Sequence, residues 1–553
     1  MRKIINSPTS FVDEVVDGIL LAHPDQLRAA DADGRALVRT DAPARGRVGI
    51  VTGGGSGHLP FFLGYVGHGL CSAVAVGNVF SSPSPAQIAA ASLAVDSGSG
   101  LLYLYGNYGG DVYNFDIAAD LCRSRGIEVR TVLGADDIES APAESAHTRR
   151  GVAGLVLVYK AAGASAERGD ALDEVARIAR KAADAVRTMG VGLSPTVLPA
   201  AGEETFSLDE GEMEIGVGIH GERGTHRGPL EPADAITDRF LASLERELDL
   251  TEGARVAVLV NGLGATPLEE LYVVYRRVHR VLAERGVEIA YRLVGEYVTS
   301  LEMAGASLSI MQLDEELEEL LGAPARSPFF QQGVVSAAAG TAPSAPVVAV
   351  EETFAASTAE GASALRARLL EVLPRLSAHA EELRELDAML GDGDLGITVS
   401  AGAAAVADAL RALPDDADGR SVLQAAGLAF SSANPSTFAA LVGSALLSAS
   451  ADLPAGEHLE VSGAFVRRAA AAIAARGGAA IGDKTLLDVL EPVARALDEG
   501  ADPADAAAEA VRVSSGWRSR RGRAAWQQER SIGQADPGSV AVLRFVEELV
   551  RGE

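Results

Sequence analysis

The pattern of apolar residues changes once along this chain, near residue 331, and that change restricts the available folds more than any single motif. Before it, short β-branched runs alternate with helical periodicity. Arg47–Thr52, Leu101–Tyr105, Gly151–Tyr159, Glu214–Ile219, Arg255–Val260 and Glu288–Glu296 read as strands, and Ala171–Met189 as an amphipathic helix. After it, strands stop. Alanine and leucine recur at helical spacing over 361–390, 397–412, 420–430, 436–451, 462–476, 484–498, 503–515 and 536–550, which predicts eight helices with short connections in a bundle or barrel. Gln331–Val347, rich in Ala, Gly, Pro and Ser, reads as a linker. The expected organisation is an α/β domain over 1–330, a linker over 331–350 and an all-α domain over 351–553.

The all-α half opens on Leu-Asp-Ala-Met-Leu-Gly-Asp-Gly-Asp-Leu-Gly (386–396). Asp387 ends a helical repeat of leucines, and Gly391, Gly393 and Gly396 let the backbone turn sharply. Three carboxylates, Asp387, Asp392 and Asp394, converging on such a turn suit Mg²⁺, which takes few protein carboxylates and completes its shell with water and phosphate oxygens. A solvated acidic turn is the competing reading, and an EF-hand is excluded by the spacing.

In the α/β half, polar residues gather just past predicted strands. Gly53-Gly54-Gly55-Ser56-Gly57-His58 follows the first, without Walker or dinucleotide spacing. It is either a tight turn or a close backbone approach to an oxygen-rich ligand, with His58 placed for proton transfer. Gly106-Asn107-Tyr108-Gly109-Gly110-Asp111 follows the next, where Asp111 is a base or the cap of a helix starting near Asn114. His220-Gly221-Glu222 ends another, with a functional and a packed histidine equally compatible. Asn261 reads as a turn residue. His58, Asp111 and His220 would then share one pocket.

A formal charge of −28 argues against nucleic acid and anionic membrane as partners, and no stretch reads as a clean spanning helix. Two isolated cysteines, Cys71 and Cys122, predict neither a disulfide framework nor a zinc site, and a reducing cytoplasm is the expected compartment. Ser431–Thr437 and Gly482-Asp483-Lys484-Thr485 are turns before helices, phosphate perches or plain caps. The arginines 518, 520, 521, 523 and 530 stand out in so acidic a chain, as a phosphate-facing cluster or a solvated face.

Gly-Gly-Gly-Ser-Gly-His (53–58), Asn-Tyr-Gly-Gly-Asp (107–111), Gly-Ile-His-Gly-Glu (218–222), the acidic turn at 386–396, Gly-Asp-Lys-Thr-Leu-Leu-Asp (482–488), Gly-Arg-Ala-Ala-Trp (522–526) and the run 529–538 occur together in this order. Over essentially its whole length the chain thereby resembles the single-chain, ATP-dependent dihydroxyacetone kinases. The resemblance implies an N-terminal ketose-binding domain of two α/β parts and a C-terminal eight-helix antiparallel barrel that binds nucleotide. It implies that His220 holds the substrate carbonyl covalently as a hemiaminal, with His58 and Asp111 beside the hydroxyl to be phosphorylated and Gly55, Ser56, Gly57 and Gly106 lining the ketose site. It further implies Mg²⁺ on Asp387, Asp392 and Asp394, and ATP against Leu395, Gly396, Ile397, Thr398, Thr437, Gly477, Leu486, Arg523, Asp536, Pro537 and Gly538. The family works as a homodimer in which one subunit's nucleotide domain faces the other's ketose domain.

The chain departs from the family's pattern where Leu59 replaces a common Glu, where Gly106 replaces a common Lys, and where Ser431–Thr437 lacks the usual Gly-Gly-Thr-Ser-Gly. A lost lysine removes a donor and glycine is expected to leave room, which predicts a ketose larger than dihydroxyacetone, such as erythrulose. The rival readings are a ketose-binding regulator without turnover and an FAD-AMP lyase-type activity.

Overall fold

The computed structural model describes residues 3–335, 362–390, 393–414, 417–434, 436–451, 453, 461–521, 524–525, 529 and 531–551. The chain divides into two compact units, with the boundary in sequence between Val350 and Glu351.

The first unit contains α1 (Phe11–Ala22), β1 (Leu27–Ala29), β2 (Ala36–Arg39), β3 (Gly49–Ser56), β4 (Ala73–Val79), α2 (Pro85–Val95), β5 (Leu101–Gly106), α3 (Gly109–Ser124), β6 (Val129–Gly134), α4 (Leu155–Arg168), α5 (Leu172–Ala185) and β7 (Val186–Gly192). It continues through β8 (Glu212–Ile215), β9 (His226–Pro229), α6 (Ala233–Leu244), β10 (Arg255–Gly262), α7 (Leu268–Glu284), β11 (Glu288–Gly295), β12 (Gly305–Gln312), α8 (Glu315–Gly322) and a small hairpin of β13 (Ala325–Arg326) and β14 (Gln331–Gln332). Two six-stranded sheets result, ordered β1-β2-β4-β3-β5-β6 and β11-β10-β12-β7-β8-β9. The first is parallel from β4 through β6, and β5 (Leu-Leu-Tyr-Leu-Tyr-Gly) is buried along its whole length, as a strand covered on both faces must be. In the second only β10 and β11 run parallel. The buried Asp136 carboxylate joins the sheets, accepting from the amides of Val152 and Gly154 at 2.9 and 2.8 Å and from Thr188 Oγ1 on β7.

Several sequence expectations need correction. Gly53–Ser56 is not a turn after the first strand but its continuation, paired in parallel with β4. The glycines are there because neighbours crowd both faces: a Cβ on Gly53 would lie 2.7 Å from Ala75 O, and one on Gly54 2.3 Å from the Phe62 ring. Gly151–Tyr159 is not a strand. Its apolar run belongs to α4, buried on every side from Leu155 to Ala166, and an all-round apolar helix leaves no period to read. Even Lys160 is buried there, its Nζ donating to Leu320 O at the end of α8. The helix expected to reach Met189 stops at Ala185, and β7 follows. The strand expected to reach Ile219 stops at Ile215, because the chain folds back with Gly218 N on Glu222 O and Thr225 N on Ile215 O. The helix after β5 starts at Gly109, so Asp111 lies in its first turn and does not cap it. Asn261 lies inside β10, not in a turn, fully buried.

The second unit contains α9 (Ala362–Val372), a 3₁₀ segment (Leu373–His379), α10 (Ala380–Leu390), α11 (Leu395–Ala412), α12 (Gly419–Ala433), α13 (Thr437–Ala451), α14 (Gly463–Gly477), α15 (Leu487–Glu499), α16 (Pro503–Ser515) and α17 (Pro537–Val550). The single helix expected over 361–390 is interrupted at Pro374, which has no N–H to donate. From α10 onward each helix packs on the next, and α17 packs back on α10, closing an eight-helix ring with α9 alongside. Among the described residues, Leu395–Ala412 is long and apolar enough to cross a membrane, yet half of it is buried in the core of this unit. Most of the expected linker lies outside the described residues; its start, Gln331–Gln332, is β14.

Asn261 Nδ2 donates to Val298 O (2.8 Å) and Ser307 Oγ (3.2 Å), while its Oδ1 accepts from the amides of Tyr297 (2.8 Å) and Val298 (2.9 Å). Asn261→Ala strands these buried partners and should cost about 2–4 kcal/mol in urea unfolding; a loss below about 0.5 kcal/mol would contradict the geometry.

Candidate active site

His58 and His220 come from different sheets and meet edge to face, ring centroids 4.8 Å apart at 83°, with Nε2 to Nε2 at 3.1 Å. His58 follows β3 and is buried; His220 is on the β8–β9 loop and is 22% exposed. The far nitrogen of each ring is engaged. His58 Nδ1 lies 2.9 Å from Thr299 O, and His220 Nδ1 lies 3.0 Å from Glu222 Oε1. Both partners only accept, so both Nδ1 atoms carry hydrogen. Two neutral rings would then present lone pair to lone pair, and one proton held between the Nε2 atoms resolves the contact. Burial, reinforced by the His220 charge, drives the His58 pKa down to about 3.

Glu222 supports this arrangement. Burial works against its charge, but His220 and Arg150 hold the carboxyl well below the usual carboxylate range. It also accepts from the His220 amide at 2.9 Å, which fixes the loop and the ring together. Arg150 lies 3.7 Å from Glu222 Oε2 and is anchored by Asp137 (2.7 Å) and Gly216 O (3.1 Å). Phe80 stacks flat on His58 at 4.7 Å and meets His220 edge-on at 5.2 Å; Tyr108 meets His220 edge-on at 4.9 Å. Phe62, Phe80 and Leu301, all near His58, have left-handed backbone with φ of 60°, 57° and 50°. A cavity of about 120 Å³ lies behind His58, lined by Phe11, Val12, Val15, Leu59, Phe62 and Leu301 among others.

The structure brings His58 and His220 into contact and shows no direct contact of either with Asp111. Asp111 is buried in the first turn of α3 and hydrogen-bonded to Ser82, and its Oδ1 has no partner. Burial pushes its pKa up to about 7, the Ser82 bond opposing. A buried, unpaired carboxylate oxygen is costly, and its retention beside a strand end points to a ligand. Gly106 does not leave the expected room: a Cβ there would meet the Tyr108 ring at 3.1 Å and Gly151 O at 3.2 Å. Of the residues lining this region, Glu222, Arg150, Phe80, Tyr108 and Thr299 were not singled out from sequence. Glu222, two residues after His220, and Tyr108, three before Asp111, carried a local signal.

In the second unit, Asp387 lies in the last turn of α10, and its Oδ2 accepts from the amides of Asp394 (2.9 Å) and Leu395 (3.2 Å). Asp394 precedes α11; Asp392 lies outside the described residues. Carboxylate oxygens on one amide-braced turn fit a hard divalent cation. Leu395, Gly396, Ile397 and Thr398 form the first turn of α11. Thr398 Oγ1 accepts from Asn434 Nδ2 (2.7 Å) and donates to Ser436 Oγ (3.4 Å), which ties this turn to the start of α13 at Thr437. Ser431–Ala433 belong to α12, so the loop expected over 431–437 is shorter. Gly477 ends α14 and Leu486 precedes α15. Asp536 caps α17 through Ser539 N and Oγ, both at 2.8 Å, with Pro537 and Gly538 in the first turn. Alternate helices of an up-and-down ring start at one end, so these residues share that end, where helix N-termini favour anions. Arg523 lies outside the described residues.

A Dak1 domain model matches residues 17–329 and a DAK2 domain model residues 389–551. An L-erythrulose 1-kinase of Mycolicibacterium smegmatis is 38% identical, covering 99% of both chains. A D-erythrulose kinase of the same organism is 37% identical, covering 98% of this chain and 97% of its own. The dihydroxyacetone kinase from C. freundii, solved with AMP-PNP and Mg²⁺, is 29% identical at a TM-score of 0.55, covering all of both chains.

Asp111 binds its proton more tightly folded than unfolded, so its burial costs nothing below the unfolded pKa of 3.8 and costs most above about 7. Asp111→Asn should therefore stabilise the fold at pH 8, by no more than about 4 kcal/mol in urea unfolding, and much less near pH 4. An equal effect at both values would contradict this assignment.

Proposed function

The chain belongs to the Dak1–DAK2 family of kinases, with both domains on one polypeptide, and we propose that the alcohol it phosphorylates is a primary hydroxyl of erythrulose, captured covalently on His220 and phosphorylated from ATP. The observation that carries this reading is the Nε2–Nε2 contact of His58 and His220, each ring held from behind by an acceptor. The choice of erythrulose is supported by relatives named for both of its enantiomers, not by extra room at Gly106.

Capture proceeds as a proton exchange inside the pair. The proton between the two Nε2 atoms sits on His58 as the His220 Nε2 lone pair bonds to the ketone carbon. The carbonyl π pair passes to oxygen, which takes the proton back from His58 and becomes a hydroxyl. The positive charge stays on the substituted imidazole, facing ionised Glu222. A carbonyl is needed for this bond, so glycerol is excluded while ketones of similar size are held in place. Asp111, with its unpaired oxygen, accepts the proton of the hydroxyl being phosphorylated. Asp387, Asp392 and Asp394 would hold Mg²⁺, which when bound neutralises charge on the ATP phosphates. The first turns of α11, α13 and α17, with Gly477, Leu486 and Arg523, receive the nucleotide.

ADP release measured with ATP and Mg²⁺ over D-erythrulose, L-erythrulose, dihydroxyacetone and glycerol should favour an erythrulose and give nothing with glycerol. A strong preference for dihydroxyacetone would overturn the substrate. Loss of the ketone ¹³C resonance on binding should report capture, be abolished in His220→Ala, and weaken about tenfold or more in Glu222→Gln; an unchanged signal in His220→Ala would end the covalent proposal. With Asp111 as proton acceptor, kcat/KM should rise with pH through a limb near 7 that Asp111→Asn removes. The homodimer implied by the resemblance is tested by mixing His220→Ala and Asp392→Ala chains. Activity returns only if one chain's nucleotide unit serves the other's ketose.

A further inference from the structure

The turn before α15 carries a lysine that the chemistry above does not use. Lys484 is buried, 1% exposed, and its backbone is left-handed at φ 62°, the only such non-glycine position among the described residues of the helical unit. Its ammonium donates to three main-chain carbonyls, Ser515 O (3.2 Å), Trp517 O (3.0 Å) and Ser531 O. Three donors of a compact cation are thus spent on backbone oxygens of one excursion between α16 and α17. The same turn reinforces the hold. Asp483 O accepts from Arg520 N at 3.0 Å and its carboxylate from Arg521 Nε at 3.2 Å. Asp488 braces the turn from inside, accepting from Gly482 N at 2.6 Å and Thr485 N at 2.8 Å. Ser531 Oγ accepts from Ser519 N at 3.0 Å, joining the two limbs of the excursion.

A lysine on the surface would gain nothing from a strained backbone and a dry environment. Both are sustained here by what the side chain gathers, and strain of this kind concentrates where geometry must be held. The gathered segments are those assigned above to nucleotide. Leu486 is two residues beyond Lys484, Arg523 falls in sequence between the clamped residues Trp517 and Ser531, and Asp536 at the start of α17 is close enough to feel the Lys484 charge. We propose that Lys484 is the positioning residue of the nucleotide side: by binding the carbonyls of Ser515, Trp517 and Ser531 it sets these residues, with Arg520 and Arg521, against the turn at 482–486. It touches no reacting atom. The proposal rests on the kinase reading for its ligand, ATP, and goes beyond it in assigning what holds the receiving segment.

The test uses the full-length chain. Its two tryptophans, Trp517 and Trp526, both fall on this excursion, so intrinsic fluorescence reports the segment alone. Titration of the wild-type protein with Mg·ATP, without ketose, should change the emission saturably; an unresponsive emission would overturn the proposal. Lys484→Met should raise KM for ATP by about tenfold or more while KM for the ketose stays within about twofold. A residue needed only for stability would lower kcat through the folded fraction and leave both KM values alone, and that result would overturn the proposal. Should Lys484→Met fail to fold, Ser531→Ala removes the hydroxyl that joins the limbs and should raise KM for ATP alone, by about threefold; no change would be contrary evidence of equal weight. Failure of the kinase reading is distinguishable, appearing as saturable ATP binding without turnover of any ketose.

Discussion

The first unit depends on a contact between two imidazoles that its two sheets bring together. Each ring is tethered at Nδ1, one to a carbonyl and one to a carboxylate, which leaves the Nε2 atoms facing each other at 3.1 Å. The surrounding features follow from that constraint. Phe80 and Tyr108 fix the ring planes, His220 and the Asp137-anchored Arg150 keep Glu222 ionised, and the Asn261 network holds the Val298 segment whose neighbour, Thr299, supplies the carbonyl behind His58.

The helical unit solves a different problem by different means. A closed ring of antiparallel helices places alternate N-termini at one end, so residues far apart in sequence arrive together without any long-range pairing. The Thr398 contacts with Asn434 and Ser436 and the Lys484 bonds to Ser515, Trp517 and Ser531 are side-chain ties across that end. They supplement helix packing where the chain leaves regular structure.

Much of this was legible in the sequence, for identifiable reasons. The switch from short β-branched runs to Ala/Leu periodicity marked the two halves because strand and helix periods differ, and the helices of the second half after 390 were found to within three residues, whereas the one expected over 361–390 is split. Reading failed where burial erased periodicity. α4 is apolar on every face and looked like a strand, while β12, with Ser307 and Ser309 buried among aliphatics, offered no clear apolar run. The glycines of β3 looked like a loop because glycine usually marks one, whereas here they answer crowding from Phe62 and Ala75. His58, His220 and Asp111 stood out as polar residues after apolar runs. Arg150 and Thr299 did not, because their roles come from contacts far away in sequence, and a single sequence carries no signal for that. The expected space at Gly106 failed because the Tyr108 ring, two positions along, and the distant Gly151 carbonyl both crowd it.

The separation of His58 from His220 by 162 residues has a consequence for the cell. A nucleophilic imidazole exposed on a nascent chain would meet many sugars and aldehydes during synthesis. Here neither ring acquires its partner until both sheets are complete, so the paired imidazoles exist only in the finished unit.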